Sequence, residues 1–489
     1  MSADERSLKA LTYTVSAIIY NLYFHPLAKF PGPILARASL IWRFVYTMSG
    51  NIHLAINKEH QRYGTVFRVS PNELSFSSVT SWKAIYGHQL AGRAPMAKSE
   101  FYQMYGAGFE SLCIGSERSP QKHLQMKKNL SNAFSTKALL EQEQLVGSVI
   151  DAFVTKVGQA SGPEDPGLNM TKWYEMVAFD ILGEMAFGES FGSIEKGTPH
   201  SWAELILDHL YLITLADNLR QLPFVTTLTG WLFPSTIATK NQNSEFSRQQ
   251  VAKRLKSTSP RKDFMTQLVG QLETGAVGQE ELTAHASTLV IAGGETVSTF
   301  LAATTYYLLM NPASYKKLVN EIRQAFSSYA AINTGAAQAL PYLQAVINEG
   351  LRIYPPGSQG FPRLSPGAWV DEHWIPKGTE LYTSAWTVTH DARNFHDPMA
   401  FKPDRWLADD YMTAKANKDI KEASQPFSLG PRACLGRNFA YMEMNLILAK
   451  MLWRYDLELV DKELDWLGSS KVYVMWWKPE LRIRFKARE

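Results

Sequence analysis

The stretch FSLGPRACLGRN, residues 427–438, places one of only two cysteines of the 489-residue chain in a tightly constrained setting. It fits the pattern F-x-x-G-x-R-x-C-x-G through Phe427, Gly430, Arg432, Cys434 and Gly436. Five fixed positions arise by chance in a chain of this length on the order of one time in 10⁴. Glycines let a backbone turn tightly and approach a flat ligand closely. The pattern therefore indicates a functional cysteine.

The residues after this loop, 438–455, predict a helix that begins at once. Amides at the start of such a helix point back toward the sulfur and favour thiolate over thiol. A thiolate held in this way is a strong axial ligand for haem iron, and Arg432 is placed to pair with a haem propionate. The alternative is a buried free cysteine in a glycine turn, which is the default for a lone cysteine.

A second long segment, residues 280–310, has helical periodicity and is closed by Asn311-Pro312. From Leu289 onward it is apolar nearly all round, which predicts a buried helix. At 1.5 Å per residue it would extend for about 45 Å. Because it has no long uninterrupted apolar run, we expect a central axle of the fold and not a membrane span.

The middle of this segment reads AGGETVST, residues 292–299. A glycine pair inside a helix costs about 1 kcal/mol per glycine relative to alanine, and Gly293-Gly294 predicts an opened hydrogen-bond ladder and a groove. Glu295 and Thr296 follow immediately. A buried acid and hydroxyl in a loosened helix are suited to hold water and to pass protons to dioxygen at a haem iron. The alternative is a glycine kink with a satisfied polar pair.

Two further patterns carry charge. Glu349 and Arg352 lie at i and i+3 of a predicted helix, and Arg405 follows in FKPDRW. If Arg405 reaches Glu349, the three form a buried, charge-assisted lock; the alternative is a solvated surface salt bridge. The predicted helix 122–135 carries His123 and Lys127 one turn apart, within reach of haem propionates. Its alternative is a solvated basic face.

The composition and charge of the chain limit the classes of partner it can bind. The net charge of +4 and the absence of a long basic run speak against a nucleic-acid partner. Residues 10–24 form a short apolar run, followed by the proline-rich stretch 25–33. We interpret residues 1–24 as a hydrophobic anchor on a membrane surface and 25–33 as a stiff hinge, the alternative being a helix packed on the body. Residues 34–489 would then form the catalytic domain.

Taken together, these motifs resemble the cytochrome P450 superfamily of haem-thiolate monooxygenases, over essentially the whole chain after about residue 25. The resemblance implies a mainly α fold with small β-sheets, in one large helix-rich part and a smaller sheet-rich part. It implies haem b with Cys434 as the iron ligand, Glu295 and Thr296 as the oxygen-activating pair, and Glu349, Arg352 and Arg405 as a structural triad. Arg363, in GFPR, and Arg432 resemble propionate partners, and the family often has W-x-x-x-R where this chain has His123 and Lys127.

Both ends of the chain look most similar to filamentous-fungal members, such as the isotrichodermin C-15 hydroxylase and pisatin demethylase groups. That likeness implies a secondary-metabolic role, anchoring in the endoplasmic reticulum with the body on the cytosolic face, and electrons from an NADPH-dependent reductase. We therefore predict a monooxygenase that inserts one atom of O2 into a lipophilic small molecule. The alternatives are a haem-thiolate isomerase or dehydratase, a non-catalytic haem-binding protein, and a helical scaffold without haem.

Overall fold

The computed structural model describes residues 3–89, 94–106, 108–161, 166–222, 234–257, 263–407 and 419–488. About 61% of the chain is helical, and the strands form small separate sheets. A mainly α fold with small sheets is thus confirmed. The α-helices are, in chain order, α1 (Ala3–Ile19), α2 (Ile34–Ala38), α3 (Ile41–Met48), α4 (Ile52–Tyr63), α5 (Val79–Tyr86), α6 (Phe101–Tyr105), α7 (Pro120–Ser131), α8 (Thr136–Ala160), α9 (Met170–Phe187), α10 (Ser193–Lys196), α11 (Ser201–Leu219), α12 (Pro234–Lys256), α13 (Phe264–Glu273), α14 (Gln279–Leu309), α15 (Pro312–Ala325), α16 (Thr334–Gln338), α17 (Pro341–Ile353), α18 (Ala385–Thr389), α19 (Arg437–Arg454) and α20 (Trp466–Ser469).

The strands group into a five-stranded sheet of order β1-β2-β8-β5-β3, a three-stranded sheet of order β4-β12-β9, and two hairpins, β6-β7 and β10-β11. Their bounds are β1 (Val66–Ser70), β2 (Glu73–Phe76), β3 (Ala97–Lys98), β4 (Leu168–Asn169), β5 (Arg363–Leu364), β6 (Ala368–Val370), β7 (His373–Ile375), β8 (Glu380–Thr383), β9 (Tyr455–Leu459), β10 (Lys471–Tyr473), β11 (Met475–Trp477) and β12 (Arg482–Ala487). The spacing of apolar residues does not indicate strands β5 to β8, because strands of two to four residues have too few positions to show a period of two.

The long predicted helix exists and extends over α14, within one residue of its predicted ends at each side. Nearly every residue from Leu282 onward is buried, because the neighbouring helices surround it. Within the described ranges it is the one helix long and apolar enough to cross a bilayer, and most of it is buried inside the protein. It is therefore a core helix, as its interrupted apolar pattern indicated.

The glycine pair of α14 serves a different purpose from the one predicted. The helix continues through Gly293 and Gly294 as regular α-helix, so its hydrogen-bond ladder is not interrupted there. A Cβ atom at Gly293 would lie 2.9 Å from Leu182, and one at Gly294 would lie 2.7 Å from Phe179. Both of these side chains belong to α9. The glycines thus allow close packing of α9 against α14, because any larger residue would force the two helices apart.

A buried carboxylate joins α17 to a distant segment of irregular chain. The Glu349 carboxylate accepts hydrogen bonds from the Nε and Nη2 atoms of Arg352 at 2.8 Å each. The Nε atom of Arg405 lies 3.2 Å from the same carboxylate. The Lys402 N–H and the Trp406 indole N–H donate to the same carboxylate at 2.8 Å each. The side chains of Glu349, Arg352 and Arg405 are at most 2% exposed.

Arg352 extends this lock further along the chain. It also donates to the carbonyl oxygens of Thr389, Pro398 and Ala400, at 2.7–3.0 Å. Burial alone would raise the pKa of Glu349, but Arg352 and Arg405 outweigh burial and hold that pKa below its ordinary 4.5. The carboxylate is therefore ionised, and its charge is fully satisfied.

We expect Glu349→Gln to lower the free energy of unfolding by about 3–5 kcal/mol at neutral pH, because Arg352 would be left buried without a carboxylate and Arg405 would keep only Asp419, at 2.8 Å. Since the folded-state pKa of Glu349 is depressed, this stabilisation is present above about pH 4.5 and is lost as the pH falls through the folded-state value. Denaturant titration at several pH values measures both effects.

Lys317→Met is the matched control, because Lys317 pairs with Asp404 at the surface, with side chains 49% and 60% exposed. It should change the free energy of unfolding by less than about 1 kcal/mol. Equal losses for the two variants would contradict the assignment of Glu349 as the buried centre of the lock.

Candidate active site

The cysteine loop is closed by its own backbone. The Cys434 N–H donates to the Phe427 carbonyl at 2.9 Å, which fixes the loop just before α19 begins. Gly430 has φ +69°, and a Cβ atom there would lie 2.2 Å from the carbonyl oxygen of Tyr86 at the end of α5. Only glycine fits this position, so the glycine of the sequence pattern is explained by a close backbone approach.

Cys434 is solvent-accessible although it lies inside the body of the protein. Burial raises the pKa of its thiol, whereas the Gly436 N–H and the cations Lys127 and Arg437 act in the opposite direction. The amide at the start of α19 therefore has the predicted effect on the sulfur, but burial is the larger contribution. An accessible sulfur surrounded by protein faces an internal space and is placed to meet a ligand.

Phe427 and Lys127 support the loop from outside. The Phe427 ring packs against the Tyr441 ring with centroids 5.4 Å apart, and the Arg437 guanidinium lies over both rings. Lys127 donates to the Pro431 carbonyl at 2.9 Å. The structure thus uses Lys127 to hold the loop backbone, where the sequence predicted a propionate contact.

Beside the loop, four basic side chains converge. Strand pairing sets Lys98 of β3 directly opposite Arg363 of β5, and both are buried. His123 of α7 is buried, and Arg432 reaches across from the cysteine loop to donate to the carbonyls of Glu117 and Arg118 at 2.7 and 2.8 Å. Like charges directly opposite on paired strands are destabilising. This arrangement therefore needs negative charge beside it.

The charges of this cluster act on one another. Burial, and then Arg432 and Arg363, lower the pKa of Lys98 well below its ordinary value. Burial, followed by Arg432 and Lys98, lowers the pKa of His123 to about 3. Glu117 offsets part of the positive charge on Lys98 and Arg432, but its carboxylate already accepts the Ser119 N–H at 2.6 Å.

A bound ligand with two carboxylates would balance the excess positive charge of this cluster. The donors of the cluster are an ammonium, two guanidinium groups and an imidazole, which is a set suited to two propionates. The accessible sulfur of Cys434 lies in the loop that also carries Arg432. The described residues therefore fit haem, on the evidence of their uncompensated charge and the accessible sulfur.

The acid and hydroxyl of α14 lie on different sides of the helix. Thr296 is partly exposed and Ala292, one turn earlier, is exposed, although most of the helix is buried; this face lines an open space. The Thr296 hydroxyl donates to the Ala292 carbonyl at 2.7 Å. Glu295 is 1% exposed, and its Oε2 lies 3.2 Å from the Nζ atom of Lys478. Sequence reasoning identified Glu295 but missed this cation.

Lys98 and Lys478 were not identified from the sequence. Lys98 belongs to a strand of two residues, and Lys478 follows the short strand β11, so neither lies in a recognisable pattern. Only long-range strand pairing brings Lys98 to Arg363, 265 positions along the chain. The one usable signal for Lys478 was a lysine directly after three apolar residues, MWW, at 475–477.

A narrow cleft opens between α3, the five-stranded sheet and the end of α11. An ionic network lines one side of it. Arg43 pairs with Glu73 at 2.8 Å and also with Asp217, while Arg220 joins Asp217 at 2.7 Å to Glu380 at 2.8 Å. Glu73 and Glu380 are direct neighbours in β2 and β8, so the two arginines neutralise an acidic pair. This network fastens α11 to the sheet.

Comparison with known proteins agrees with the haem-thiolate class that this geometry defines. The family model for cytochrome P450 matches residues 31–484, so the chain belongs to the cytochrome P450 family. Family membership brings haem with thiolate ligation, O2 as a substrate and a redox partner.

Similar proteins carry the same description. The chain is 63% identical to cytochrome P450 monooxygenase ORF9 of Penicillium roqueforti over 98% of this chain and 93% of that protein. It is 55% identical to cytochrome P450 monooxygenase BOT4 of Botryotinia fuckeliana over 95% and 88%, respectively. It is 36% identical to cytochrome P450 monooxygenase astJ of Aspergillus oryzae over 96% and 94%. The protein is accordingly a haem-dependent monooxygenase.

We expect Arg363→Met to weaken haem retention roughly tenfold or more, because one charge-assisted hydrogen bond is worth about 1.5–3 kcal/mol. Lys127→Met, which loses a contact to a loop carbonyl, should retain haem far better. Transfer of haem from each purified protein to an excess of a haem-free acceptor globin measures the difference. Equal retention by the two variants would contradict the distinction between the cluster and the loop support.

Proposed function

We propose that Cys434 is the thiolate ligand of the haem iron in this monooxygenase. The chain offers two cysteines, and the other, Cys113, is buried with its sulfur 3.3 Å from the Thr288 hydroxyl and 3.4 Å from the Ser116 hydroxyl. Cys434 is accessible, lies in a loop fixed by Gly430, and is next to a basic cluster. The single observation that carries the proposal is this accessible sulfur beside uncompensated buried positive charge.

The residues around it then have separate roles. Arg363 and Arg432, with Lys98 and His123, hold the two propionates by charge-assisted hydrogen bonds. The Gly436 N–H donates to the sulfur, and Phe427 packs behind the loop. Haem with a thiolate ligand supplies reductive activation of dioxygen when it is bound.

Glu295 and Thr296 of α14 take up protons and deliver them to the active site. Thr296 borders the open space, and its hydroxyl, anchored to the Ala292 carbonyl, presents its oxygen to water there. Glu295, directly adjacent in the chain, takes up protons and passes them on through water. Because the chain has both the Glu295 carboxyl group and the Thr296 hydroxyl, oxygen insertion is favoured over an isomerase or dehydratase reaction.

The substrate that we propose is a lipophilic small molecule of fungal secondary metabolism. Tyr211 of α11 packs against Tyr473 and Trp477 of the β10-β11 hairpin, with ring centroids 5.0 and 5.8 Å apart. Such aromatic surface suits an apolar ligand oriented by few polar groups. The similarity to monooxygenases of Penicillium, Botryotinia and Aspergillus supports the metabolic assignment.

Electrons would come from NADPH through a reductase that docks near the cysteine loop. Lys122 and Lys128 of α7 are exposed on the helix that also holds the loop through Lys127. Exposed lysines favour the approach of an acidic partner.

We further propose attachment to the endoplasmic reticulum membrane, with the body on the cytosolic side. The N-terminal helix α1 continues through a π-helical turn to Phe24, and it exposes Leu8, Leu11, Tyr23 and Phe24, which are 62–72% exposed. Apolar side chains left uncovered in this way favour a lipid environment.

The ligand assignment is tested by the carbon monoxide difference spectrum of the reduced, haem-loaded protein. The parent should show the strongly red-shifted Soret band of a thiolate complex, and Cys434→Ser should lack it entirely. Cys113→Ser is the matched control and should keep the band. Loss of the band in Cys113→Ser alone would overturn the assignment.

Deletion of residues 1–24 should move the protein from the membrane pellet to the supernatant on cell fractionation, because the exposed apolar side chains of α1 are removed. Leu11→Ser combined with Val15→Ser should weaken pelleting in the same direction. A truncated protein that stays entirely in the pellet would mean that the body itself binds the membrane.

A further inference from the structure

A buried lysine sits behind the acid of the active site. Lys478, directly after β11, has a side chain that is only 1% exposed. Its ammonium lies 3.2 Å from Glu295 Oε2, 3.2 Å from the Thr299 hydroxyl and 3.3 Å from Glu175 Oε1. An ammonium has three N–H donors, so these three acceptors use all of them.

The members of this group differ in their depth. Glu295 and Lys478 are each 1% exposed, Glu175 on α9 is 13% exposed, and Lys172, one turn before Glu175, is exposed. Burial alone would lower the pKa of Lys478, but Glu295 and Glu175 outweigh it and raise that pKa. The lysine is therefore a fixed cation between two carboxylates, one at the active site and one toward solvent.

The two oxygens of Glu295 are not equivalent. Oε2 accepts from Lys478, whereas Oε1 is buried and has no hydrogen-bond partner among the described residues. A buried carboxylate oxygen without a donor is unfavourable, and a bound water or proton would remove that cost. Oε2 is thus held by Lys478, and Oε1 is available for proton exchange.

We propose that Lys478 is the positioning residue for Glu295: it holds Oε2 and leaves Oε1 as the atom that exchanges protons. Oε1 takes up a proton from water and then passes it inward, so the carboxylate returns to its starting state. Lys478 keeps its three protons throughout, so its charge is constant. Glu175 shares the same ammonium and moderates the hold on Glu295. This rests on the proposed role of Glu295 in proton delivery.

The physical consequence of losing Lys478 follows directly. Glu295 would become a buried carboxylate without a cation, and a buried group in that position favours its uncharged form. Its carboxyl group would then hold a proton and be free to rotate. The charged groups of the cluster are Lys478, which contacts both carboxylates, Glu175, and Lys172, which acts on Glu175; with Lys478 gone, no buried cation contacts Glu295.

The test uses the full-length, haem-loaded enzyme with its reductase and an accepted substrate. In Lys478→Met we expect product formed per NADPH to fall about tenfold or more, with hydrogen peroxide rising to match. KM should stay within about twofold, because Lys478 does not contact the open space. The acidic limb of the kcat profile should move to higher pH, and Lys478→Arg should restore part of the product yield.

A second measurement does not depend on turnover. Infrared spectra of Lys478→Met at neutral pH should contain the carbonyl band of a protonated carboxylic acid that the parent lacks. The band should disappear in Lys478→Met combined with Glu295→Gln. A spectrum of Lys478→Met identical to that of the parent would overturn the proposal.

Lys450→Met is the matched control. Lys450 of α19 is also buried and forms one close ion pair, with Asp151 at 2.6 Å. Its loss should lower thermal stability without changing the ratio of product to peroxide. If Lys478→Met behaves in the same way, Lys478 is merely structural and the proposal is wrong.

Two further variants separate the possible failures. If Lys478→Met does not fold, Glu175→Gln answers the question, because it removes the second carboxylate that shares the Lys478 ammonium and should therefore change the product-to-peroxide ratio. An unchanged ratio would overturn the proposal. If Glu295→Gln changes the ratio and Lys478→Met does not, only the Lys478 proposal fails. If neither variant changes the ratio, the proton role of Glu295 fails with it.

Discussion

The ionised Glu349 carboxylate is the point at which the two parts of this molecule are joined. Its partner Trp406 donates an indole N–H to it, while the Trp406 ring packs against both the main helical core and the smaller core around the five-stranded sheet. Arg352 and Arg405 would be costly to bury alone; Glu349 offsets that cost for Arg352, and Glu349 and Asp419 together offset it for Arg405. One charge thereby fixes irregular chain between 389 and 406 that has no regular hydrogen-bond ladder of its own.

The two buried ionic clusters of this chain, around Glu349 and around Lys98, differ in whether the protein itself balances their charge. Around Glu349, donors and acceptors are matched within the protein, so the site is self-contained and structural. Around Lys98 and Arg363 the donors meet only uncharged carbonyl and hydroxyl oxygens, so the positive charge is not balanced, and the strand register sets these two cations face to face. A folded protein retains such an imbalance only where an outside group compensates for it. The contrast distinguishes a ligand site from a lock more reliably than burial alone does.

The sequence sufficed wherever the chemistry is local. The cysteine loop, the long helix and the Glu349–Arg352 pair are each encoded within one element, so spacing alone predicted them. It failed where distant segments meet: two-residue strands carry no periodicity, and Lys478 reaches Glu295 across 183 positions. The glycine pair was found but misread, because the sequence does not contain the side chains of α9 that approach Gly293 and Gly294. Lys127 was likewise found, but its carbonyl partner was not.

The ionic network along the cleft joins the end of α11 to the five-stranded sheet through charged contacts in place of apolar ones. Where helices separate from an apolar face, the cost of exposing that face grows with its area. Along Arg43, Asp217 and Arg220, separation instead returns charged groups to water, which hydrates them and recovers much of the desolvation cost of burying them. The end of α11 is thus fastened by buried ion pairs, which dissolved ions screen little while the pairs are closed. The surrounding electrolyte therefore acts mainly on the opened form of this edge, whose charges are exposed to water.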